Sequence, residues 1–289
     1  MYMSLESQYA NFYNRIIEMK KKFDSEPMDA NFVSGEMIIP AYNGIKINVE
    51  RSLNNMIKNR KWDESLLVYD EVTPKVLISS LPPAPIFFGN PNKPMASIMV
   101  NVAWRNENIP TLLDIMEEAQ CKATFFLQGE WTHKFSELAR KIKDAGHEIG
   151  SHAYSHPDMR GQTLEYIEWE LKKTNQVIYK ELGVRPKLFT PPSGEFDERV
   201  IRTAIKEGMY TVLSSIDTQD WKMPPPEEMV HQIKTNVKKG FLILIHPTGS
   251  SVKALPEILK TIKDKGLKIV TVSDLLSPQR EVIDRYPEV

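Results

Sequence analysis

The chain has 289 residues and a net charge of −1, from 37 lysines and arginines against 38 aspartates and glutamates. With 41% apolar and 26% charged residues it is predicted to be a soluble globular protein with a core that needs no staples, and the charge balance argues against a nucleic-acid partner held by phosphate neutralisation. One cysteine, Cys121, excludes a disulfide framework and a cysteine zinc cluster, and the apolar runs are too short to span a bilayer.

The amino end, MYMSLESQYANFYNRIIEMKKKF, has acidic and polar residues where the apolar part of an export signal would lie. Leu5, Tyr9, Phe12, Ile16, Met19 and Phe23 recur at helical spacing and predict an amphipathic helix within residues 1–33. Residues 37–39 and 45–49 read as strands around a turn at Asn43 and Gly44, residues 52–59 as a helix and 66–69 as another strand. Together they predict a small α/β module over residues 34–81. The stretch LPPAPIFFGNPNKP has five prolines, which remove donors and fix φ, so residues 82–94 are predicted to form an extended linker.

From residue 95 to 289 the pattern is regular. Strand-like runs at 97–103, 123–127, 148–152, 187–190, 211–215, 241–246 and 268–272 alternate with helical stretches at 109–119, 134–144, 164–181, 197–207, 226–238 and 252–265. Gly146, Gly183, Gly208, Gly240 and Gly266 close helices just before strands. Seven strands in alternation with six helices predict an α/β fold with a parallel sheet, and a distorted (β/α)7 barrel fits better than an open doubly wound sheet. In such folds chemistry collects at the carboxyl ends of the strands. Residues 101–107, 152–156, 190–194, 217–221 and 246 all fall there.

His152 and His156 stand four apart, a spacing at which two neutral imidazoles can face one cation. His246 ends an apolar run, and Asp217 or Asp220 could hold it protonated as a general acid. A backbone N–H in the rigid turn Pro191-Pro192-Ser193-Gly194 could face an oxyanion. His133, His147 and His231 read as ordinary, and Cys121 as a buried small hydrophobe.

The segments GHEIGSHAYSHPDM, TPPSGEF, DTQDW and LILIHPT, in this order, resemble the polysaccharide deacetylases of the NodB-homology type, carbohydrate esterase family four. The resemblance covers residues 95–276 and extends, through NVAW, PAYNG and LPPAP, to a sporulation-associated deacetylase-like branch. It implies a NodB-type distorted barrel acting on or binding N-acetylated glycan such as peptidoglycan or chitin, extracellular or attached to the wall or spore, and monomeric. In the family a divalent metal, zinc or cobalt, held by Asp-His-His polarises the acetyl carbonyl, a second aspartate activates water, and a histidine protonates the leaving amine. Carried over by position, His152 and His156 are implied as metal ligands, His246 as the acid, Asp217 and Asp220 as its support and the site floor, and Pro191, Pro192, Trp221 and Leu244 as substrate-binding.

Four positions depart from the family pattern. The motif that should read T-F-D-D is Asn101-Val102-Ala103-Trp104, so Ala103 replaces the base and Trp104 the third metal ligand. Thr190 stands where the family has an arginine that positions the base, and Ser193 where it has a tyrosine. An arginine without its carboxylate partner would be costly in a buried site, so these losses belong together. Three readings follow: a glycan-binding protein with impaired or no deacetylase activity, an active enzyme with Glu107 or Glu195 moved in, or a non-catalytic interaction protein of the spore or wall.

Overall fold

The apolar stripe at the amino end forms helix α1 (Leu5–Phe23) in the computed structural model, which describes residues 5–33 and 36–280. Strands β1 (Asn31–Val33) and β2 (Met37–Ile39) follow, then β3 (Gly44–Ile47), helix α2 (Val49–Asn59) and β4 (Tyr69–Val72). The chain divides into two units. The smaller comprises Met1–Ala30, Pro40–Ser80 and Ser277–Val289, and the larger Asn31–Ile39 and Leu81–Leu276.

In the smaller unit, α1 buries Phe12, Ile16 and Phe23 against Leu53 and Met56 of α2, with Ile47 and Leu67. Tyr9 of the predicted stripe is exposed, and the side chain of Leu5 lies outside the described residues. Asn48 caps α2 by accepting from the Arg51 N–H at 2.9 Å. The hairpin expected around Asn43 and Gly44 does not form: β2 pairs with β1, and β3 pairs with β4. Asn43 is buried and donates from its side chain to Glu71 Oε2 at 2.6 Å. Gly44 is needed for close approach rather than for a turn, because a Cβ there would sit 2.5 Å from the Ser25 carbonyl oxygen. The strand expected over 66–69 is displaced to β4, and Glu64–Leu66 forms a short 3₁₀ turn. Arg280 returns to this unit, donating from Nε to the Asn43 carbonyl at 2.7 Å and lying 4.1 Å over the Tyr42 ring.

The larger unit is built on parallel strands β5 (Met95–Val102), β6 (Thr124–Leu127), β7 (Glu148–Ser151), β8 (Leu188–Phe189), β9 (Tyr210–Thr211), β10 (Ile216–Asp217), β11 (Phe241–Ile245) and β12 (Lys268–Val270). Their order is β10-β11-β5-β6-β7-β8-β9, with β12 beside Met95–Ser97 of β5 and β6 beside its last four residues. Helices α3 (Ile109–Glu118), α4 (Gly129–Lys134), α5 (Ser136–Asp144), α6 (Leu164–Leu182), α7 (Glu198–Lys206), α8 (Pro226–Asn236), α9 (Gly249–Asp264) and α10 (Val272–Leu276) connect or follow them. The result is the expected distorted β/α barrel.

Alternate residues of the strands face outward: Ala96, Ile98, Val100 and Val102 of β5, with Phe125 and Ile243 of its neighbours, pack in one core with Leu112, Ile258 and Ile262 of the helices. The other register of β5, which includes Asn101, faces the inside. Gly150 of β7 leaves room inside for Phe126, since a Cβ there would stand 2.4 Å from that ring.

One predicted strand is two. The run at 211–215 separates into β9, paired with β8, and β10, paired with β11. Between them the chain bonds to the proline-rich stretch. The Ile86 N–H donates to the Thr211 carbonyl at 3.0 Å, the Leu213 N–H to the Ile86 carbonyl at 2.8 Å, and Ser215 Oγ to the Phe87 carbonyl at 2.6 Å. Phe88 bridges to Phe241 of β11. Residues 86–88 fill the seam between β9 and β10, whereas residues 90–93 close a turn, the Lys93 N–H donating to the Asn90 carbonyl at 3.0 Å.

Candidate functional site

The carboxyl ends of the strands carry five separated segments of the site. The segment after β7 carries His152 and His156, whose rings meet edge to face with centroids 5.0 Å apart. His152 is 1% exposed, and its Nδ1–H donates to the Thr190 carbonyl at 2.8 Å. That bond places the proton on Nδ1 and leaves Nε2 with a free lone pair. Burial, reinforced by the neighbouring His156, pushes the His152 pKa down to about 3, and burial also lowers that of His156. Both imidazoles are neutral at pH 7.

The loop between them is held from α6. Buried Glu170 accepts from the Tyr154 N–H at 2.7 Å, the Ser155 N–H at 2.9 Å and the Ser155 hydroxyl. The loop has two left-handed residues, Ala153 at φ 59° and His156 at φ 63°. Gly129 at the start of α4 permits the close approach, because a Cβ there would lie 2.4 Å from the Tyr154 ring.

His246 follows β11 and shares its inner face with Leu244, which is half-buried. Of the two aspartates expected to support it, the structure selects Asp220. Its carboxylate is fully buried and accepts from His246 Nδ1–H at 2.7 Å and from the His246 backbone N–H at 2.6 Å. The hydroxyls of Thr248, at 3.2 Å, and Ser251 complete its shell. Asp217 is placed elsewhere: its Oδ1 accepts from the Gln219 N–H at 2.8 Å and closes its own turn.

The departures sit beside these groups. Ala103, just past β5, contributes only a methyl. Trp104, 37% exposed, stacks on His246 with centroids 6.0 Å apart and planes 21° from parallel. Thr190 is buried and serves His152 through its carbonyl, while Ser193 is exposed at φ 55° in the turn begun by buried Pro191 and Pro192. Trp221 is 51% exposed beneath Lys222 Nζ at 4.8 Å. Glu195 pairs with Arg160 at 2.8 Å, and the Glu107 side chain is 64% exposed near Arg105. Cys121 is buried, which raises its thiol pKa and makes it a poor nucleophile.

A family model for polysaccharide deacetylase matches residues 88–212. A peptidoglycan-N-acetylglucosamine deacetylase of Bacillus cereus is 32% identical over 200 residues, spanning 68% of this chain and 73% of that protein. The chain belongs to the polysaccharide deacetylase family. Over nearly its whole length this polysaccharide deacetylase homologue also resembles the protein YlxY of Bacillus subtilis, 41% identical over 93% of this chain and 84% of that protein. The crystal structure of BA3943 of Bacillus anthracis, described as a CE4 family pseudoenzyme, superposes with a TM-score of 0.88 at 36% identity over 93% of this chain and 96% of the other. A mutant of BA3943 described as having restored enzymatic activity superposes equally well, at 35% identity over 93% and 99%.

The family's reaction uses a divalent metal, and the donor set here falls short of it. His152 and His156 are neutral imidazoles suited to a cation, but the third position offers an indole. Among the described residues no group of three His, Cys, Asp or Glu side chains could hold a metal ion. What the site does hold is the His246 imidazole, fixed in one tautomer by the buried Asp220.

Sequence reasoning missed three contributors. Thr248 and Ser251 share Asp220, and the Thr-Gly-Ser-Ser run that opens α9 reads as a helix cap: Thr248 Oγ1 accepts from the Ser251 N–H at 3.1 Å. Glu170 had a legible signal, a carboxylate on the apolar stripe of Ile167, Leu171 and Thr174. Asn101 lies in the strand-end segment 101–107 that the sequence singles out; its Oδ1 is buried without a hydrogen-bond partner.

Proposed function

We propose that this chain binds N-acetylated cell-wall glycan, peptidoglycan or chitin-like, at the site around His246 and deacetylates it poorly or not at all. One observation carries this reading: His246 and its buried partner Asp220 are in place, while the two positions that should carry the base and a metal ligand are Ala103 and Trp104. General-acid assistance without a base or a polarised carbonyl leaves the first step, water attack on the acetyl group, without a catalyst. The alternative of a rearranged enzyme is disfavoured by the placement of its candidates, since Glu195 is tied to Arg160 and Glu107 points to solvent. Zinc or cobalt would then bind weakly, through two histidines and water.

The relatives support the glycan class, and the restored BA3943 mutant supports reading this site as one that lost its catalytic groups. The same proposal places the protein at the wall or spore as a monomer, with the glycan site in the domain after residue 95 and the module of residues 34–81 serving another role.

The test is acetate release from chitooligosaccharides and muropeptides with zinc or cobalt present, alongside calorimetric binding of both. Wild type should bind without releasing acetate above a no-protein control. Ala103→Asp, Trp104→Asp and Thr190→Arg together should release it only with metal. Substantial release by wild type, abolished by His246→Ala, would overturn the proposal.

A further inference from the structure

Trp104 is the residue that most changes the chemistry of this site. It replaces a small charged ligand with a large flat surface, and its surroundings fix that surface in place. One face of the indole lies on the His246 imidazole, which Asp220 holds from its other edge. The loop that carries Trp104 is anchored on two sides: Asn106 Oδ1 accepts from Trp131 Nε1–H of α4 at 2.5 Å, and Asn108 Nδ2 donates to the Pro247 carbonyl, beside His246, at 2.8 Å. Trp104 nevertheless keeps 37% of its surface exposed.

A buried hydrophobe has no reason to stand at the mouth of a polar site in this way, and an ordinary surface tryptophan has no reason to be held so closely. Arg105 stands 5.7 Å from the indole, loose beside the 4.2 Å of Arg185 over Tyr179. An incoming ring can displace it, leaving guanidinium donors at the rim.

We infer that Trp104 is a sugar-stacking platform: the C–H face of a pyranose ring of an N-acetylated glycan lies on the exposed side of the indole. This deepens the glycan-binding reading and rests on it. A pyranose carries its hydroxyls around the rim and presents apolar C–H faces, so it suits a rigid aromatic plane with polar groups at the edge. A platform already held in place loses little conformational entropy on binding. Replacing a metal-ligand aspartate by tryptophan then exchanges hydrolysis for retention, since the ring that supports the sugar also covers the face of the acid.

The experiment is calorimetric titration with chitotetraose of wild type, Trp104→Ala, Trp104→Phe and Trp221→Ala, with the Trp104 indole N–H resonance followed in wild type and assigned from its absence in Trp104→Phe. Trp104→Ala should weaken binding roughly tenfold or more, Trp104→Phe about threefold, and the Trp104 resonance should shift saturably. Should Trp104→Ala fail to fold, the Phe variant and the resonance still decide. Unchanged affinity in Trp104→Ala, or an unmoved Trp104 resonance while wild type binds, overturns this inference and leaves the glycan reading standing. Wild type that binds neither chitotetraose nor muropeptides overturns both.

Discussion

Asp220 concentrates more hydrogen bonds than any other group of the site, and it does so with no exposure to water. Its two oxygens serve the His246 ring, the His246 backbone and two hydroxyls. Asp220→Ala strips the acceptor from all of them and should cost about 3 kcal/mol or more of folding stability, read from urea midpoints. Asp217→Ala removes only a turn contact and should cost well under about 1 kcal/mol in the same assay. A second residue predicts a pH dependence. Burial, with help from nearby Lys122, pushes His147 from 6.5 down to about 4, and its Nδ1 accepts from the Ala123 N–H at 3.1 Å. Between pH 6.5 and 4 the unfolded chain takes up a proton that the native imidazole refuses. Stability should therefore fall as pH drops through this window. His147→Asn, whose Oδ1 can replace Nδ1 as acceptor, should lose part of that slope; an unchanged slope in the variant would refute the assignment.

At the scale of elements, the loop between the two histidines shows how a helix two steps away shapes a site. Four-residue spacing identified His152 and His156 as a pair in the sequence, but spacing does not orient rings. Their orientation comes from left-handed residues Ala153 and His156, from Gly129, and from Glu170 of α6 gripping the Tyr154 and Ser155 amides. Glu170→Ala should raise hydrogen exchange at those two amides before it affects the rest of β7, whereas Glu170→Gln should keep part of the protection through its carbonyl oxygen. The helices themselves were legible because their apolar stripes and caps are local: α6 begins at a Thr163 cap and ends at Gly183, close to the expected limits of 164–181. Strand pairing was less legible. A two-residue strand such as β9 carries no alternation to read, so the run at 211–215 looked like one strand when it is two.

For the larger unit taken whole, the proline-rich stretch matters most. Ile86 is fully buried and exchanges hydrogen bonds with Thr211 and Leu213 where β9 and β10 part. Ile86→Ala should destabilise the larger unit by about 2–4 kcal/mol, and a chain begun at Met95 should show no sharp thermal transition, because its seam would be left unfilled. Full stability in such a truncated chain would show the stretch to be only a tether.

The amino-acid sequence by itself determined the alternation of strands and helices, the family, the histidines and the missing carboxylates at Ala103 and Trp104. All of these reside in local periodicity or in the identity of residues within short motifs. Tertiary structure alone decided that Asp220 and not Asp217 holds His246, that Glu195 pairs with Arg160 and Glu107 lies beside Arg105, that residues 86–88 complete the barrel, and that the Trp104 ring stacks on His246. Most of these are contacts between segments far apart in the chain. Such contacts depend on where the curled sheet brings strand ends together, which no local pattern encodes.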